Sequence, residues 1–438
     1  MASAKLTRTF TAGNRKTYTI SLWLKRSGIG SSPNYQAVFI ASGGDDGIFF
    51  KNDGTLDCFF HSVEKRTNRQ FRDTSGWYHI MVAVDTTQAS ASNRLKIYVN
   101  GEQETSFAYN SGDPAQDSQN LFNNSGGTNV IGNHSSSSYN FDGQMAHVHY
   151  VDGTAYTPTT FGETDSTTGI WKPKTAPSVT YGTNGFFLKF DNSANMGLDS
   201  AGSNNLTTTG TIIQNKDTPS NVFATLNLLH FGSGGISNTT LTNTNTTFTS
   251  TQGGSPYPYY FSTLGATKGK YYAEFKHSAG VNGDAASAGI GHIPDQYSGN
   301  NSLSWSYYAN GNVYNGGSSA SYGNAWNVGD ILGIAMDLDN SKVYFSMNGV
   351  WQNSGVPTSG STGTGAKSIT ANTLYQFEVG DAGGNQPTIQ CNFGNGYFGT
   401  TAVSSAQSPD DGKGIFGYDV PAGYRALCTE SINAQEYS

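Results

Sequence analysis

Cysteine is nearly missing from this 438-residue chain: Cys58, Cys391 and Cys428 are its three, scattered along the length. So few, so spaced, they supply neither a disulfide framework nor a four-ligand zinc site. Charge is sparse as well. Only 13% of residues are Asp, Glu, Lys or Arg, and 24 basic against 31 acidic residues leave a net charge of -7. No Lys/Arg run breaks the pattern, which argues against nucleic acid as a partner. No apolar stretch is long enough to cross a bilayer, and Met1–Arg8 lacks the apolar region of a leader. Neither membrane insertion nor a signal peptide is therefore expected. Helical periodicity is absent beyond a turn or two.

What is there is polar without being charged: 13% aromatic residues, 55 glycines and 35% hydrophobic residues. Disordered chains have the reverse balance, rich in charge and lean in aromatics. Abundant Tyr, Phe, Thr, Ser, Asn and Gly mean short strands joined by turns. Two stretches repeat one pattern. Trp77-Tyr-His-Ile-Met-Val-Ala-Val-Asp85 is followed by Arg94-Leu-Lys-Ile-Tyr-Val-Asn100-Gly101. Trp326-Asn-Val-Gly-Asp-Ile-Leu-Gly-Ile-Ala-Met-Asp337 is followed by Lys342-Val-Tyr-Phe-Ser-Met-Asn348-Gly349. Each reads as an apolar strand, a polar turn, an alternating strand and an Asn-Gly hairpin, both of whose central residues need positive φ. A further hairpin is expected about Asn52-Asp53-Gly54. Cys58 and Cys391, in Leu-Asp-Cys-Phe-Phe and Ile-Gln-Cys-Asn-Phe, read as small core residues.

The repeat predicts an all-β chain of two jelly-roll β-sandwich domains joined by a Thr/Asn-rich connection. The first sandwich is expected over 1–190, the connection over 191–260 and the second sandwich over 261–438. Asn-, Thr- and Ser-rich sequence cannot supply much core, so the connection is expected to lie over a surface, docking through Val222–Leu229. The Asn-x-Thr sequons at Asn238 and Asn245 fit chance in such composition.

The second half resembles a SPRY domain. Tyr271-Tyr-Ala-Glu-Phe, Gly289-Ile-Gly, Trp326-x-x-Gly-Asp-Ile-Leu-Gly-Ile-Ala-Met-Asp-Leu-Asp339 and Val343-Tyr-Phe-Ser-Met-Asn-Gly-Val-Trp351 carry that likeness. It implies framework positions for Trp326 and Trp351. The first half resembles the laminin-G-type, concanavalin A-like jelly roll through Tyr18-Thr-Ile-Ser-Leu-Trp, Trp77-Tyr-His-Ile, Leu95-Lys-Ile-Tyr-Val-Asn-Gly and Phe141-Asp-Gly-Gln-Met-Ala. The whole arrangement is also similar to proteins of tailed bacteriophages. Gly185–Asp199, Asp217–Asn227 and the closing Phe416–Cys428 carry that resemblance, which implies a virion component of tail or capsid.

The Glu-x-Asp-x-(x)-Glu strand of concanavalin-type glycanases is absent. The nearest pair, Glu102-Gln-Glu104, follows a turn where solvated hairpin charge is expected. No Gly-x-Ser-x-Gly, His-Glu-x-x-His or phosphate-cradling loop is present. His147-x-His149 on an alternating strand puts two imidazoles on one face. With His79 or His61 they could bind a metal, although a polar sheet face explains them more simply. The laminin-G resemblance implies calcium at the sandwich rim, with Asp45, Asp46 and Asp142 as candidate ligands. Ala146-His147 stands where such families often carry an acid, against that site.

Aromatics crowd 294–324 among Gly, Ser and Asn: Tyr297, Trp305, Tyr307, Tyr308, Tyr314 and Tyr322. Stranded in loops, such rings stack on sugars or anchor a protein contact. Alternate members, Trp305 and Tyr307, could instead line the core. Tyr297, Tyr308 and Tyr322 lead the ligand-binding set, with Trp305 and Tyr314. The expectation is a non-enzymatic phage virion protein, a tail-fibre head or capsid decoration, binding a host-surface glycan or protein through sandwich-edge loops. Its partners would be other virion proteins, and it could self-associate. The rivals are a purely structural cementing protein and a glycan-degrading depolymerase.

Overall fold

Both Asn-Gly turns close as expected, and in the same way. Asn100 and Gly101 have φ of 50° and 87°; Asn348 and Gly349 have 48° and 80°. Each Asn then pairs with the start of the neighbouring strand in the sheet, Tyr78–Asp85 or Ile331–Asp337. The Asn100 amide donates to the His79 carbonyl (2.9 Å) and its side-chain oxygen accepts the His79 amide (2.8 Å). Asn348 repeats both bonds on Ile331, at 2.8 and 2.9 Å. The Asn52-Asp53-Gly54 turn likewise joins Gly47–Lys51 to Thr55–Phe60.

The computed structural model describes all residues except 1–3, 30–33, 42–45, 135–138, 167, 233–237, 256, 284–285, 293–297, 382, 385 and 437–438. The chain is nearly all β and divides into two compact units, Met1–Gln214 and Asn215–Ser438.

In the first unit, Phe107–Asn110, Val63–Gln70, Thr55–Phe60, Gly47–Lys51, Tyr35–Ile40, Thr128–Ile131, Lys5–Thr9 and Thr207–Thr209 lie side by side in that order. The facing sheet runs Phe186–Leu188, Gly143–Asp152, Thr17–Arg26, Tyr78–Asp85, Leu95–Val99 and Glu102–Gln103. Period-2 alternation aims Tyr18, Ile20, Leu22 and Leu24 of one sheet at Leu56, Cys58 and Phe60 of the other. Sheet-to-sheet burial of these chains is the main stabilisation.

The second unit repeats the plan. One sheet orders Leu226–Phe231, Tyr259–Ser262, Gln376–Asp381, Ala286–Gly291, Trp305–Tyr308, Asn312–Asn315 and Ser318–Ser321. Its partner is built on Thr239–Thr242, Thr247–Ser250, Thr388–Asn392, Lys270–Ala279, Ile331–Asp337, Lys342–Met347 and Val350–Trp351. Trp326, Phe275, Phe345, Phe377 and Cys391 fill the core between them. Trp326 is fully buried, its indole N–H donating to the Asp330 carbonyl at 3.0 Å. Trp351 departs from the framework expectation. It packs half-buried with Tyr272, Tyr344 and Phe416 on the outer side of the second sheet.

Residues 191–260 are shared between the two units. In the first, Asp199 takes amide bonds from Phe187, Ala201 and Asn204, and Thr207–Thr209 pairs with Lys5–Thr7. In the second, Ala224 and Leu226 enter the core, and Thr247–Ser250 pairs with Thr388–Asn392. Backbone pairing explains why a stretch poor in apolar residues still forms sheet.

Candidate functional site

The aromatics expected in loops lie mostly on strands, and alternation divides them between two faces. On Trp305–Tyr308 and its neighbours, Tyr307 and Tyr322 turn into the core, with Trp305 packed at its margin. The Tyr322 hydroxyl donates to the Gly365 carbonyl (2.7 Å) and its ring meets Phe345 edge-on. Tyr308 turns the other way, but it stacks on Tyr314 at 3.8 Å and donates to the Ser298 carbonyl. Tyr308 and Tyr322 are each only 5% exposed. That corrects the premise that burial could not explain them. Trp305 is half-buried, its N–H donating to the Ser368 carbonyl, with the Lys367 ammonium 5.4 Å from both its ring and that of Tyr322. Tyr314 is half-buried too. Tyr297 lies outside the described residues.

The calcium candidates do not converge. Asp46 sits by Leu121 and Tyr18, at the start of strand Thr17–Arg26. Asp142 sits by Gly28 and Arg26, at that strand's other end. Eight residues of strand, at roughly 3.3 Å each, separate the two neighbourhoods, far beyond the ~2.4 Å ligand shell of one ion. Asp45 lies outside the described residues. Glu104 is buried and takes a bond from Arg69 at 2.9 Å, while Glu102 is exposed.

His79, His147 and His149 do approach one another, on the outer face of the first unit's second sheet. Both His79 nitrogens and His149 Nδ1 are engaged, whereas His147 Nδ1 is buried without a partner among the described residues. The Trp171 indole donates to His79 Nδ1 (3.1 Å), so Nε2 carries the proton shared with Ser21 Oγ (2.8 Å). His149 Nδ1 meets the Tyr181 hydroxyl at 2.8 Å, and its ring stacks on Phe187 at 4.0 Å. A bulge at His147 (φ 47°) breaks the alternation assumed from the sequence. Burial lowers His79 to about 3 and His147 to about 4, and holds His149 well below the usual imidazole range. His61 is elsewhere, against Tyr18 and Ser118. Among the described residues, no group of three His, Cys, Asp or Glu has the geometry to hold a metal.

The sequence reading passed over the outward face of the first unit's larger sheet. Because Leu56, Cys58 and Phe60 point inward, Asp57 and Phe59 must point outward, and that alternation was visible in Leu-Asp-Cys-Phe-Phe. There Tyr139, Tyr35, Phe49 and Phe59 form a chain of tilted and edge-on rings 5.7–6.0 Å apart. Lys51 lies over Tyr35, with its ammonium 3.1 Å from the hydroxyl. Beside the rings, Arg66 bonds Asp57 (3.2 Å) and Glu64 (2.6 Å) and lies 5.8 Å from the ring centre of Tyr109, which is 48% exposed. Among the described residues, Asp57 Oδ1 has no hydrogen-bond partner. Burial, with Glu64 nearby, pushes its carboxyl up to about 6 against the pull of Arg66. Asp57 and Phe49 are themselves buried, so what the face presents is the half-buried rings of Tyr139, Tyr35 and Phe59, exposed Tyr109 and the forked donors of Arg66, chemistry suited to a polyhydroxylated ring.

Two further carboxyls were missed, both outward-facing in the second unit. Glu378 accepts from Ser298 (2.6 Å) and Ser306, and burial raises it to about 6. Glu274 accepts the Gly417 and Tyr418 amides, both at 2.8 Å, together with Asn392 and the Tyr272 hydroxyl. Burial still raises it to about 7.

Residues 2–160 match the model of the concanavalin A-like lectin/glucanases superfamily, and residues 270–367 match that of the SPRY domain. No curated protein matches the chain. Among solved structures, the SPRY domain of human HERC1 is 16% identical, covering 38% of this chain and 96% of its own, with a TM-score of 0.28. A putative carbohydrate binding protein from Bacteroides ovatus is 16% identical over 49% of this chain and 60% of its own, with a TM-score of 0.35. A heptameric SAP-like pentraxin from Limulus polyphemus is 16% identical over 36% and 72%, with a TM-score of 0.27. By the two matched models, the chain carries a concanavalin A-like domain and a SPRY domain, folds associated with binding carbohydrate or protein.

Proposed function

We propose that this protein is a non-catalytic bacteriophage virion component that binds a host-surface glycan. The glycan part rests on one arrangement: the half-buried rings of Tyr139, Tyr35 and Phe59, packed on buried Phe49 and bordered by Arg66 and Tyr109, on an outward sheet face. Ring faces take the apolar side of a sugar, and Arg66, held in place by Asp57 and Glu64, takes its hydroxyls. The second unit adds half-exposed Trp305 and Tyr314. The virion part rests on the resemblance of Gly185–Asp199, Asp217–Asn227 and Phe416–Cys428 to segments of tailed-phage proteins.

Binding of purified protein to a glycan array and to host cells tests the first part. Tyr109→Ala and Arg66→Ala should each weaken binding by about tenfold, the loss of one ring contact or one charge-assisted pair. Binding that survives both changes removes the assigned face. A density map of the phage particle that shows no copy of this chain removes the virion assignment.

A further inference from the structure

The outer side of the second unit's larger sheet is covered by the C-terminal stretch, which lies outside both matched regions. Phe416, Tyr424 and Ala426 pack there on Tyr272, Ala335 and Tyr344. Glu274 fixes the stretch through the amides of Gly417 and Tyr418. The Tyr418 ring lies on Gly349, where any Cβ would meet it at 2.6 Å. The small hairpin Tyr397–Phe398 with Thr401–Ala402 stands beyond, and the cover does not reach the sheet's end at Lys276 and Ile331. A cleft of about 540 Å³ remains between them. That is the size of a small-molecule site, which runs from about 300 to 1,000 Å³.

Its lining is specific in chemistry. Thr401, Ser404 and Ser405 supply hydroxyls, and Phe398 and Tyr418 supply rings. Lys276 lines the same space, and its ammonium has no ion pair or hydrogen bond among the described residues. Asp419 lines it too, exposed to solvent and not paired with Lys276. A cation left without a counter-ion beside several neutral hydroxyls favours a ligand with one anionic group and many hydroxyls of its own.

We propose that this cleft is a second saccharide site, selective for an acidic sugar whose carboxylate is held by Lys276. The hydroxyl groups of Thr401, Ser404 and Ser405 exchange hydrogen bonds with the ring substituents, and Tyr418 covers one face of the ring. The site goes beyond the glycan face of the first unit and stands or falls separately from it.

Methyl β-D-glucuronide and methyl β-D-glucoside differ in one carboxylate, and saturation-transfer NMR with the full chain at low salt compares them. The glucuronide should bind about tenfold more tightly. Lys276→Gln should abolish that preference, and Lys276→Arg should retain it. Lys276 is partly exposed, so both variants should keep the wild-type melting profile. Equal binding of the two sugars, no binding of either, or a preference that survives Lys276→Gln overturns the proposal. Because Arg66→Ala and Tyr109→Ala do not touch this cleft, loss of the preference in those variants would overturn it as well.

Discussion

Glu274 is fully buried beneath the C-terminal stretch, and four donors converge on its two oxygens. Glu274→Ala would strand the Gly417 and Tyr418 amides without acceptors and leave Asn392 only the Ile415 carbonyl. Each buried donor left unpaired costs about 1–3 kcal/mol, so a loss of about 3 kcal/mol or more is expected. Urea unfolding followed by Trp fluorescence reads it; a loss under about 1 kcal/mol would show that Glu274 does not hold the stretch. Nothing near Glu274 in the sequence announces this role. Tyr271-Tyr-Ala-Glu-Phe alternates cleanly, which says only that the carboxyl faces away from the inner core. It does not say that residues some 140 positions later will cover it. Asp57 and Glu378 were illegible for the same reason: alternation gives the side of a sheet, not what lies over it. Cys58 and Cys391, whose faces are the inner ones, were readable and are fully buried.

At the scale of the element, the Asn-Gly hairpins were the strongest signal because their demand is local. Positive φ at both residues is satisfied by that dipeptide with little strain. What the sequence could not display is the clasp on His79 and Ile331, which depends on strand register. Asn100→Ala and Asn348→Ala each lose a side-chain bond to a strand amide and place Ala at positive φ. Each should cost its own unit about 2 kcal/mol. Asn→Gly at the same positions should cost less, because it removes the bond without the backbone strain. Thermal melts of the four variants check this, and equal effects of Ala and Gly would mean that the backbone conformation contributes nothing. The aromatic stretch 305–322 failed where the turns succeeded. Its Gly, Ser and Asn content resembles loop, yet Trp305–Tyr308, Asn312–Asn315 and Ser318–Ser321 pair as consecutive hairpin strands. Pairing with the central strand Ala286–Gly291 overrode weak local propensity.

On the scale of the whole chain, two separate cores were predictable from the duplicated strand pattern, and each unit carries its own. The division of 191–260 between them was not, since it depends on backbone pairing to distant strands. The two units bury opposite kinds of titratable group. The first holds His61, His79, His147 and His149, all lowered by burial, the first three to about 4, 3 and 4. Below the unfolded value of about 6.5, the unfolded first unit takes up protons that the folded one refuses. Its stability is therefore full above about pH 6.5 and falls as pH drops toward 4, with the raised Asp57 as a partial offset. The second unit holds Glu274 and Glu378, raised to about 7 and about 6. There the folded unit keeps protons that the unfolded one releases, so stability is full below about pH 4.3 and falls as pH rises toward 7. His230 and His277, lowered by burial, pull the other way. Calorimetry of the full chain should resolve two transitions. On acidification from pH 7 to pH 5, the first unit's melting temperature should fall while the second's rises. Asn100→Ala and Asn348→Ala identify which transition belongs to which unit, each lowering one and leaving the other. Two transitions that move together by the same amount would show that these buried groups do not govern the pH response.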